Sequence, residues 1–333
     1  MKRHQLLSVL AAATLLAGAN SAILPRASAA SGPAYNMIMN WFPEPEEGGY
    51  YNAQRQGLYA KAGVNTTIEE FGFSTVSFQY VLSGKATFGM ANADEVIQER
   101  ARGAPVVAIM NTFQTNPQGI LWHAEDTTVH GLADFSNHTL IYSFGAGFEP
   151  YLVQKYHYKN FKTKSYDFTS RKFALDPHAV NQCYVTSEPY TWSKQGLKVK
   201  YTLIADSGYS PYGDVIFTTE DMVKKHPDAV RAFVKASVQG WNDYLKNPGP
   251  TNGYLESTPG AKNYPLKPDE INFSFTQVKR LGLVAGGDAR THGIGYFSLA
   301  RWKTLQQQMV ATGQKVAGVN VTQAFTNQFL PGM

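Results

Sequence analysis

Short apolar runs alternate with amphipathic stretches along most of the chain. Short apolar, β-branched runs predict buried strands, and apolar positions three to four residues apart predict helices. By this pattern we expect strands over residues 35–42, 64–71, 86–90, 105–112, 119–123, 139–142, 168–169, 182–186, 197–204 and 215–218. Helices are expected over residues 49–60, 75–82, 92–102 and 147–158, from Glu188, after the N-cap Thr219, and from Pro227. Residues 248–268 predict irregular structure, with helices following near 268–283, 297–312 and 320–329.

Strands that alternate with helices predict parallel βαβ units and an α/β architecture. The series occurs twice, and the proline-containing segments 115–118 and 210–214 separate the two series. We therefore expect two βα lobes joined by a two-crossover hinge. Residues 31–117 and 213–333 would form a discontinuous lobe 1, and residues 118–212 would form lobe 2. This arrangement resembles the type II periplasmic binding protein fold.

The first thirty residues have the pattern of an export signal. A positively charged start at residues 2–4 precedes an apolar run at residues 6–19 that is too short to cross a bilayer. Ala27-Ser28-Ala29 then provides a small-x-small cleavage pattern. We expect cleavage near Ala29 or Ala30 and a periplasmic protein that is not a lipoprotein, because no cysteine lies at that point. A retained anchor is the alternative.

Charge and cysteine usage exclude several classes of protein. The formal net charge is +5, and residues 1–30 contribute three basic residues and no acid, which leaves +2 for the remainder. That balance does not predict binding to nucleic acid or to a membrane surface. Cys183 is the single cysteine, so an internal disulfide is excluded, and we expect an inert buried thiol in preference to a nucleophile.

Candidate binding residues follow the predicted strands. In open α/β sheets, ligands bind beyond the carboxyl ends of the strands, where helix N-termini converge. The positions that this rule selects are Asn40, Trp41, Phe42, Glu47, Ser74, Asn92, Asp94, Gln118, Ser143, Gly145, Glu188, Tyr190 and Tyr212.

Several of these candidates have a purely structural alternative. Trp41 could be a core aromatic, and Ser74 and Asn92 could be plain N-caps. Gly48 and Gly49 would let the backbone approach a ligand closely. Which of Glu44, Glu46 and Glu47 faces the ligand stays open, and Glu47 is preferred.

Motifs for catalysis and for metal binding are not found in the sequence. There is no HExxH, no zinc-type spacing of Cys and His, no GxSxG and no GxxxxGK[ST]. The loop Ser143–Gly147 lacks the GxGxxG pattern of a dinucleotide site, although its backbone N–H groups would suit an anion or a carbonyl. His123, His130 and His138 are seven or eight residues apart and are interpreted as surface residues. We therefore expect a protein that is not an enzyme, with no metal site and no cofactor.

Three stretches resemble one known family. WFPEPEEGGYYNAQRQGLYAKAGVNTTIEE, VLSGKATFGMANADEVIQERARGAPVVAI and DVIFTTEDMVKKHPDAVRAFVKASVQGWNDYLKNP are similar to the NMT1/THI5-like group of ABC-transporter solute-binding proteins. The resemblance implies a protein that closes on a solute and presents it to the transmembrane subunits of an ABC permease. Members of the group bind thiamine-precursor pyrimidines, riboflavin-type molecules, alkanesulfonates, taurine or nitrate. Glu47 stands where the family commonly has His.

These observations favour a small nitrogen-containing aromatic solute, such as a thiamine-precursor pyrimidine or a flavin-like vitamin precursor. Carboxylates at Glu47 and Glu188 would accept N–H donors, and rings would stack on Trp41 and Tyr190. The alternative is a sulfonate, taurine or nitrate binder, although Lys and Arg are scarce at the strand ends. An iron-dependent pyrimidine synthase, as in fungal relatives, is less favoured because the sequence lacks their cysteine-rich motif. We expect a monomer.

Overall fold

The computed structural model describes residues 34–70 and 76–333. The predicted export signal and Ser74 lie outside the described residues. The ten strands are β1 (Ala34–Ile38), β2 (Asn65–Glu69), β3 (Phe88–Ala91), β4 (Val106–Phe113), β5 (Gln118–His123), β6 (Thr139–Tyr142), β7 (Lys162–Ser165), β8 (Ala179–Tyr184), β9 (Val199–Leu203) and β10 (Gly213–Thr219).

The helices of the described residues lie mostly between these strands. They are α1 (Gly48–Arg55), α2 (Leu58–Lys61), α3 (Ser77–Leu82), α4 (Ala93–Ala101), α5 (Phe148–Tyr156), α6 (Arg171–Ala174), α7 (Glu188–Lys194), α8 (Glu220–Lys225), α9 (Pro227–Lys246), α10 (Gly249–Leu255), α11 (Pro268–Arg280), α12 (Ala289–His292) and α13 (Leu299–Ala311). Short 3-10 turns occur at Pro45–Glu47, Leu132–Asp134, Ile204–Ser207, Gly260–Lys262 and Val321–Gln323.

The first sheet has the strand order β2-β1-β3-β10-β4. The β1 strand is parallel to both of its neighbours, whereas β10 is antiparallel to β3 and to β4. Every residue of β4 is buried, which explains the continuous apolar run that predicted it. The chain returns to this sheet only after it has built the second one.

The second sheet has the order β7-β6-β8-β5-β9. Here β6 is parallel to β7 and β8, and β5 is antiparallel to β8 and β9. Two short segments, 114–117 and 208–212, carry the chain between the sheets. The expected two-lobed α/β fold is therefore confirmed, while the exact lobe boundaries remain a prediction.

Helix α9 is the main support of the first sheet. The apolar spacing that predicted it becomes a buried face that includes Val230, Phe233 and Trp241. It packs on α1, where a Cβ at Gly49 would lie only 2.1 Å from the Trp241 ring and one at Gly48 only 2.2 Å from the Tyr244 ring. These two glycines therefore permit close packing of α1 on α9. The expectation that they let the backbone approach a ligand is wrong.

Four local predictions are also wrong. Residues 168–169 form no strand. The edge strand is instead Lys162–Ser165, whose residues are all exposed and whose polar sequence does not predict a strand. The helix predicted over 49–60 breaks at Gly57, which has a left-handed φ of 65°. Residues 248–268 contain the helix Gly249–Leu255, and residues 320–329 hold only a 3-10 turn. Thr219 caps α8 as expected, because its hydroxyl accepts from the Met222 N–H at 3.1 Å.

Within residues 34–70 and 76–333, none of the helices combines the length and the apolar composition that crossing a membrane requires.

Candidate functional site

A cleft of about 1090 Å³ lies between the two sheets. Its first wall comes from the segment after β1, the segment after β3 and the start of β10. Its second wall comes from the start of β5 and the segments after β6, β7 and β8. The cleft thus lies where the carboxyl ends of the parallel strands converge, which is where α/β sheets bind ligands.

Three glutamates of the segment after β1 are buried at the cleft. Glu44, Glu46 and Glu47 line it and are each 3% or less exposed to solvent. The 3-10 turn that holds them is closed by the Glu44 N–H, which donates to Glu47 Oε2 at 3.1 Å. The sequence therefore places three acidic groups within four residues, in a turn that removes them from water.

Burial raises the pKa of all three carboxyls. The pKa values of Glu44 and Glu47 lie well above their ordinary range, first because of burial and then because of repulsion from Glu46 and, for Glu47, from Asp214. The pKa of Glu46 is raised by burial, although a hydrogen bond from Ser274 Oγ at 2.7 Å opposes the shift. Burial therefore disfavours the charged form of these three carboxyls in the ligand-free cleft.

Asp214 adds a fourth buried carboxyl to the first wall. It is the second residue of β10 and has a left-handed φ of 45°, and its Oδ1 accepts from Asn40 Nδ2 at 3.3 Å. Its Oδ2 is buried without a hydrogen-bond partner among the described residues. Burial raises the pKa of Asp214 to about 7. An unsatisfied carboxyl oxygen at a cleft wall is a ready acceptor for an N–H donor.

Glu188 provides the carboxyl of the second wall. It is the first residue of α7, and its Oε2 accepts from the Tyr184 N–H at 2.8 Å. Its Oε1 accepts from the Tyr166 hydroxyl at 3.2 Å. Burial raises the pKa of Glu188 to about 7, against the effect of these donors. Tyr166 thus orients a carboxyl that faces the glutamates of the first wall.

Aromatic rings form one side of the cleft. The ring centroids of Trp41 and Phe168 lie 5.5 Å apart, and those of Phe168 and Tyr166 lie 5.1 Å apart. Phe168 has a left-handed φ of 60° and is 43% exposed. Such a backbone conformation is rare for a bulky residue, and strained residues of this kind cluster at functional sites. Trp41 also donates from its Nε1 to Glu44 Oε1 at 3.4 Å.

The remaining predicted residues of the second wall offer polar atoms. Gln118, Ser143 and Gly145 all line the cleft. The Ser143 N–H donates to Gln182 Oε1 at 2.7 Å, so the loop between β6 and α5 is held against β8. Gly145 has a φ of 95°, a conformation that only glycine adopts easily.

Asn92 and Asp94 line the cleft from the N-terminus of α4. Asn92 is the N-cap residue, and its N–H donates to Glu95 Oε2 at 2.6 Å. Asp94 Oδ2 accepts from the Tyr209 hydroxyl at 2.8 Å. Burial raises the pKa of Asp94. Both residues therefore combine a structural role with a position on the wall.

Basic side chains are scarce in the cleft. Among the described lining residues the only Lys and Arg are Arg102 and Lys315, and both are exposed. Arg102 is paired with Glu99, a further acidic residue of the rim. The buried part of the cleft is thus rich in carboxyls and carries no Lys or Arg within the described chain.

Three predicted residues do not line the cleft. Phe42 is buried and stacks on Tyr264, with the Trp41 ring 5.5 Å from its own, so it packs among these rings and does not line the cleft. Tyr190 lies two residues after Glu188, on the far side of α7, where its hydroxyl donates to Asp269 Oδ2 at 2.7 Å. Tyr212 is buried and donates to Asp288 Oδ2 at 3.1 Å. Their assignment to the ligand is therefore corrected.

Sequence reasoning missed several lining residues. Asp214, Tyr166 and Phe168 were not selected, although the start of the return strand DVIFTT was a visible signal for Asp214. Cys183 lies beside Glu188 in the cleft lining but is buried, and burial raises the pKa of its thiol well above the ordinary value. Its thiol is therefore not an activated nucleophile.

Comparisons with known proteins match this architecture. Residues 44–250 match the family described as NMT1/THI5 like. The chain is 27% identical to the riboflavin-binding protein RibY of Chloroflexus aurantiacus, over 92% of each chain. It is 21% identical to the formylaminopyrimidine-binding protein of Halalkalibacterium halodurans, over 80% of this chain and 82% of that protein.

A solved structure shares the fold. The periplasmic aliphatic sulphonate binding protein SsuA from Escherichia coli superposes with a TM-score of 0.68 at 13% identity. The superposition covers 89% of this chain and 93% of that one. At this identity the likeness concerns the fold alone.

Proposed function

The chain belongs to the NMT1/THI5-like family of ABC-importer solute-binding proteins, and from this membership we propose that its solute is a small nitrogen-containing aromatic compound. The proposed solute is a flat heterocycle that carries N–H donors, of the thiamine-precursor pyrimidine or flavin-like vitamin-precursor class. The protein binds it between the two sheets and releases it to a permease, without chemical turnover.

The observation that carries this proposal is the cluster of carboxyls. Glu188 faces four other carboxyls across the cleft, those of Glu44, Glu46, Glu47 and Asp214. Among the described lining residues, Lys and Arg occur only at the rim of the cleft. A carboxylate accepts hydrogen bonds and attracts positive charge, so the cluster favours amino or ring N–H groups. A sulfonate or nitrate has neither N–H donors nor positive charge, so it would gain nothing from the acceptor oxygens of the cluster, and any carboxyl that ionises would repel it.

Aromatic side chains support a flat solute. The contiguous rings of Trp41, Phe168 and Tyr166 offer a surface on which a heterocycle can stack. The cleft of about 1090 Å³ is slightly larger than the usual range for small-molecule sites, which ends at about 1000 Å³. Two similar proteins are named for riboflavin and for formylaminopyrimidine, both nitrogen heterocycles, which agrees with the proposed class.

The proposed cycle uses closure of the two lobes around the solute. Segments 114–117 and 208–212 are the positions where the chain crosses between the sheets, and bending there would open and close the cleft. We assign the protein to the periplasm as a monomer that docks on the transmembrane subunits of an ABC permease.

A binding panel tests the proposed solute class. The purified chain is unfolded in guanidinium chloride, washed free of any retained ligand, refolded, and titrated by calorimetry with an aminopyrimidine, riboflavin, an alkanesulfonate, taurine and nitrate. We expect heat of binding and a raised melting temperature with a heterocycle only. Glu188→Gln should weaken that binding, whereas the exposed Glu256→Gln should not.

Binding of sulfonate, taurine or nitrate alone would overturn the proposed class but not the family role. Mass spectrometry of the material released by guanidinium chloride gives an independent answer, because any retained solute would be identified directly. Consumption of the heterocycle in the presence of iron would overturn the assignment as a binding protein without turnover.

A further inference from the structure

Three side chains meet at the end of the second sheet that is opposite the cleft. Asp126 follows β5, His138 immediately precedes β6, and His178 immediately precedes β8. One ligand atom from each of these residues lies within 4.8 Å of the other two. Since β6 and β8 run parallel and point their carboxyl ends at the cleft, the cluster lies a full strand length away from it, roughly 13–20 Å.

The hydrogen-bond partners of His138 do not fit a neutral imidazole. Its Nδ1 lies 2.8 Å from the Ser136 carbonyl oxygen, and its Nε2 lies 3.0 Å from Asp126 Oδ2. Both neighbours are acceptors, while a neutral imidazole has only one N–H to donate. A cation between Nε2 and the carboxylate would meet both groups while Nδ1 keeps its N–H for the Ser136 carbonyl.

The surroundings of the cluster orient it as a set of ligands. Asp126 Oδ1 accepts from the Thr128 N–H at 2.9 Å, which leaves Oδ2 turned towards both histidines. The side chains of Asp126 and His138 are only 6% and 5% exposed. Metal-bound histidines typically donate their second N–H to a carbonyl, as His138 Nδ1 does to Ser136.

We propose that Asp126 Oδ2, His138 Nε2 and His178 Nδ1 bind a divalent transition metal ion, with Zn²⁺ as the best match. Two imidazoles and one carboxylate are a usual zinc ligand set. Zinc bonds of about 2.0–2.1 Å at tetrahedral angles separate neighbouring ligand atoms by about 3.3 Å. The observed separations from Asp126 Oδ2 are 3.0 Å to His138 and 3.3 Å to His178.

The proposed ion has a structural role. His178 is 64% exposed, so the fourth coordination position opens to water. The three ligands tie together the segments that enter or leave β5, β6 and β8, the three central strands of the second sheet. An ion there would stabilise the second sheet without contact with the solute.

The test is a zinc titration of the untagged full chain after dialysis against a chelator. A competing chromophoric chelator reports the affinity and the stoichiometry, and thermal unfolding reports the stabilisation. We expect one Zn²⁺ per chain at this site and a melting temperature that rises on its addition. His178→Ala should weaken the affinity at least tenfold, because it removes one ligand whose ring is mostly exposed and not needed for packing.

Two control variants make the result specific. His130→Ala removes an exposed histidine from the same sheet's loops and should leave zinc affinity unchanged. Asp214→Asn alters the acidic cleft and should leave the tight site intact. Equal affinity in the wild type and His178→Ala would overturn the proposal, as would an absence of stoichiometric binding. Loss of tight binding in Asp214→Asn would place the ion in the cleft and would likewise overturn it.

Discussion

The rings of Trp41 and Phe168 approach each other to 5.5 Å between centroids, with planes inclined by 44°, although they belong to opposite walls of the cleft. Trp41 follows β1 of the first sheet, and Phe168 follows β7 of the second. This contact joins the two walls at one side of the site. It also places a large aromatic surface next to the carboxyls.

Phe168→Ala should weaken binding of the heterocycle by about tenfold, since a stacked aromatic pair contributes roughly 0.5–1.5 kcal/mol beyond area burial. The melting temperature of the ligand-free protein should change little, because the ring is 43% exposed. Calorimetric titration with the solute found in the panel measures the affinity. Leu175→Ala, at a 76% exposed apolar residue, is the matched control. An unchanged affinity in Phe168→Ala would show that the Phe168 ring does not contact the solute.

Glu188→Gln should weaken the same binding by about 10–100-fold, because hydrogen bonds to a charged group contribute roughly 1.5–3 kcal/mol. Glutamine keeps one acceptor oxygen for Tyr184 or Tyr166, so the fold should persist. Circular dichroism checks the fold, and calorimetry measures the affinity. Tyr166→Phe removes only the orienting hydroxyl and should have a smaller effect. If Tyr166→Phe weakens binding more than Glu188→Gln, the carboxyl is not the main contact.

The stability of the ligand-free protein should fall as the pH rises from about 4 to about 7. Burial raises the pKa of Asp214 and of Glu188 to about 7, so the folded state holds protons that the unfolded chain releases nearer 4. This contribution is present below the ordinary pKa and is lost as the pH passes the raised pKa, by at most about 1.4 kcal/mol per pH unit for each group. Urea unfolding at pH 5, 6, 7 and 8 measures the slope.

The variant Asp214→Asn measures how much the Asp214 carboxyl contributes to the pH dependence of stability. Asparagine tolerates the left-handed φ of 45° and keeps an acceptor for Asn40. The variant should therefore be more stable than the wild type at pH 8, and the difference should shrink towards pH 5. Asp228→Asn, at an exposed position, should show the same difference at both pH values. A pH-independent difference in Asp214→Asn would contradict the raised pKa.

Gly147→Ala should hinder closure of the cleft. A Cβ at this position would lie 2.2 Å from the Tyr209 hydroxyl oxygen and 2.9 Å from Asp94 Oδ2. We expect weaker solute binding, and less contraction of the radius of gyration on solute addition than in the wild type. Small-angle X-ray scattering with and without solute measures the contraction. Gly131→Ala, where the new Cβ meets no atom within 4 Å, should behave as wild type. A wild type that does not contract would argue against closure itself.

Most strands of the fold could be predicted because apolar runs indicate burial, as the fully buried β4 illustrates. The exposed strand Lys162–Ser165 could not be predicted, because it is stabilised by pairing with β6 and its sequence contains no apolar run. Asp214 was not predicted because the rule for α/β sheets selects residues at the carboxyl ends of strands. The β10 strand is antiparallel to β3 and β4, so the amino end of β10 lies at the cleft. The prediction for Tyr190 was wrong because side chains two residues apart on a helix point in nearly opposite directions, so Tyr190 and Glu188 cannot both face the cleft.

The Asp126, His138 and His178 cluster lay beyond sequence reasoning for a different reason. Its members are separated by 12 and 40 residues, so no local spacing marks them. They meet only because β8 lies between β6 and β5 in the second sheet. Their approach is a property of strand order, which the pattern of the sequence does not state.

The position of β10 between β3 and β4 also sets an order of assembly during synthesis. A nascent chain that has emerged as far as Leu203 contains all five strands of the second sheet but only four of the first. Without β10, the β4 strand has no neighbour among β1, β2 and β3, so the first sheet stays divided. The second sheet is thus the part whose strands are complete first, and the carboxyls of the first wall reach their final positions only after the ribosome has passed Thr219.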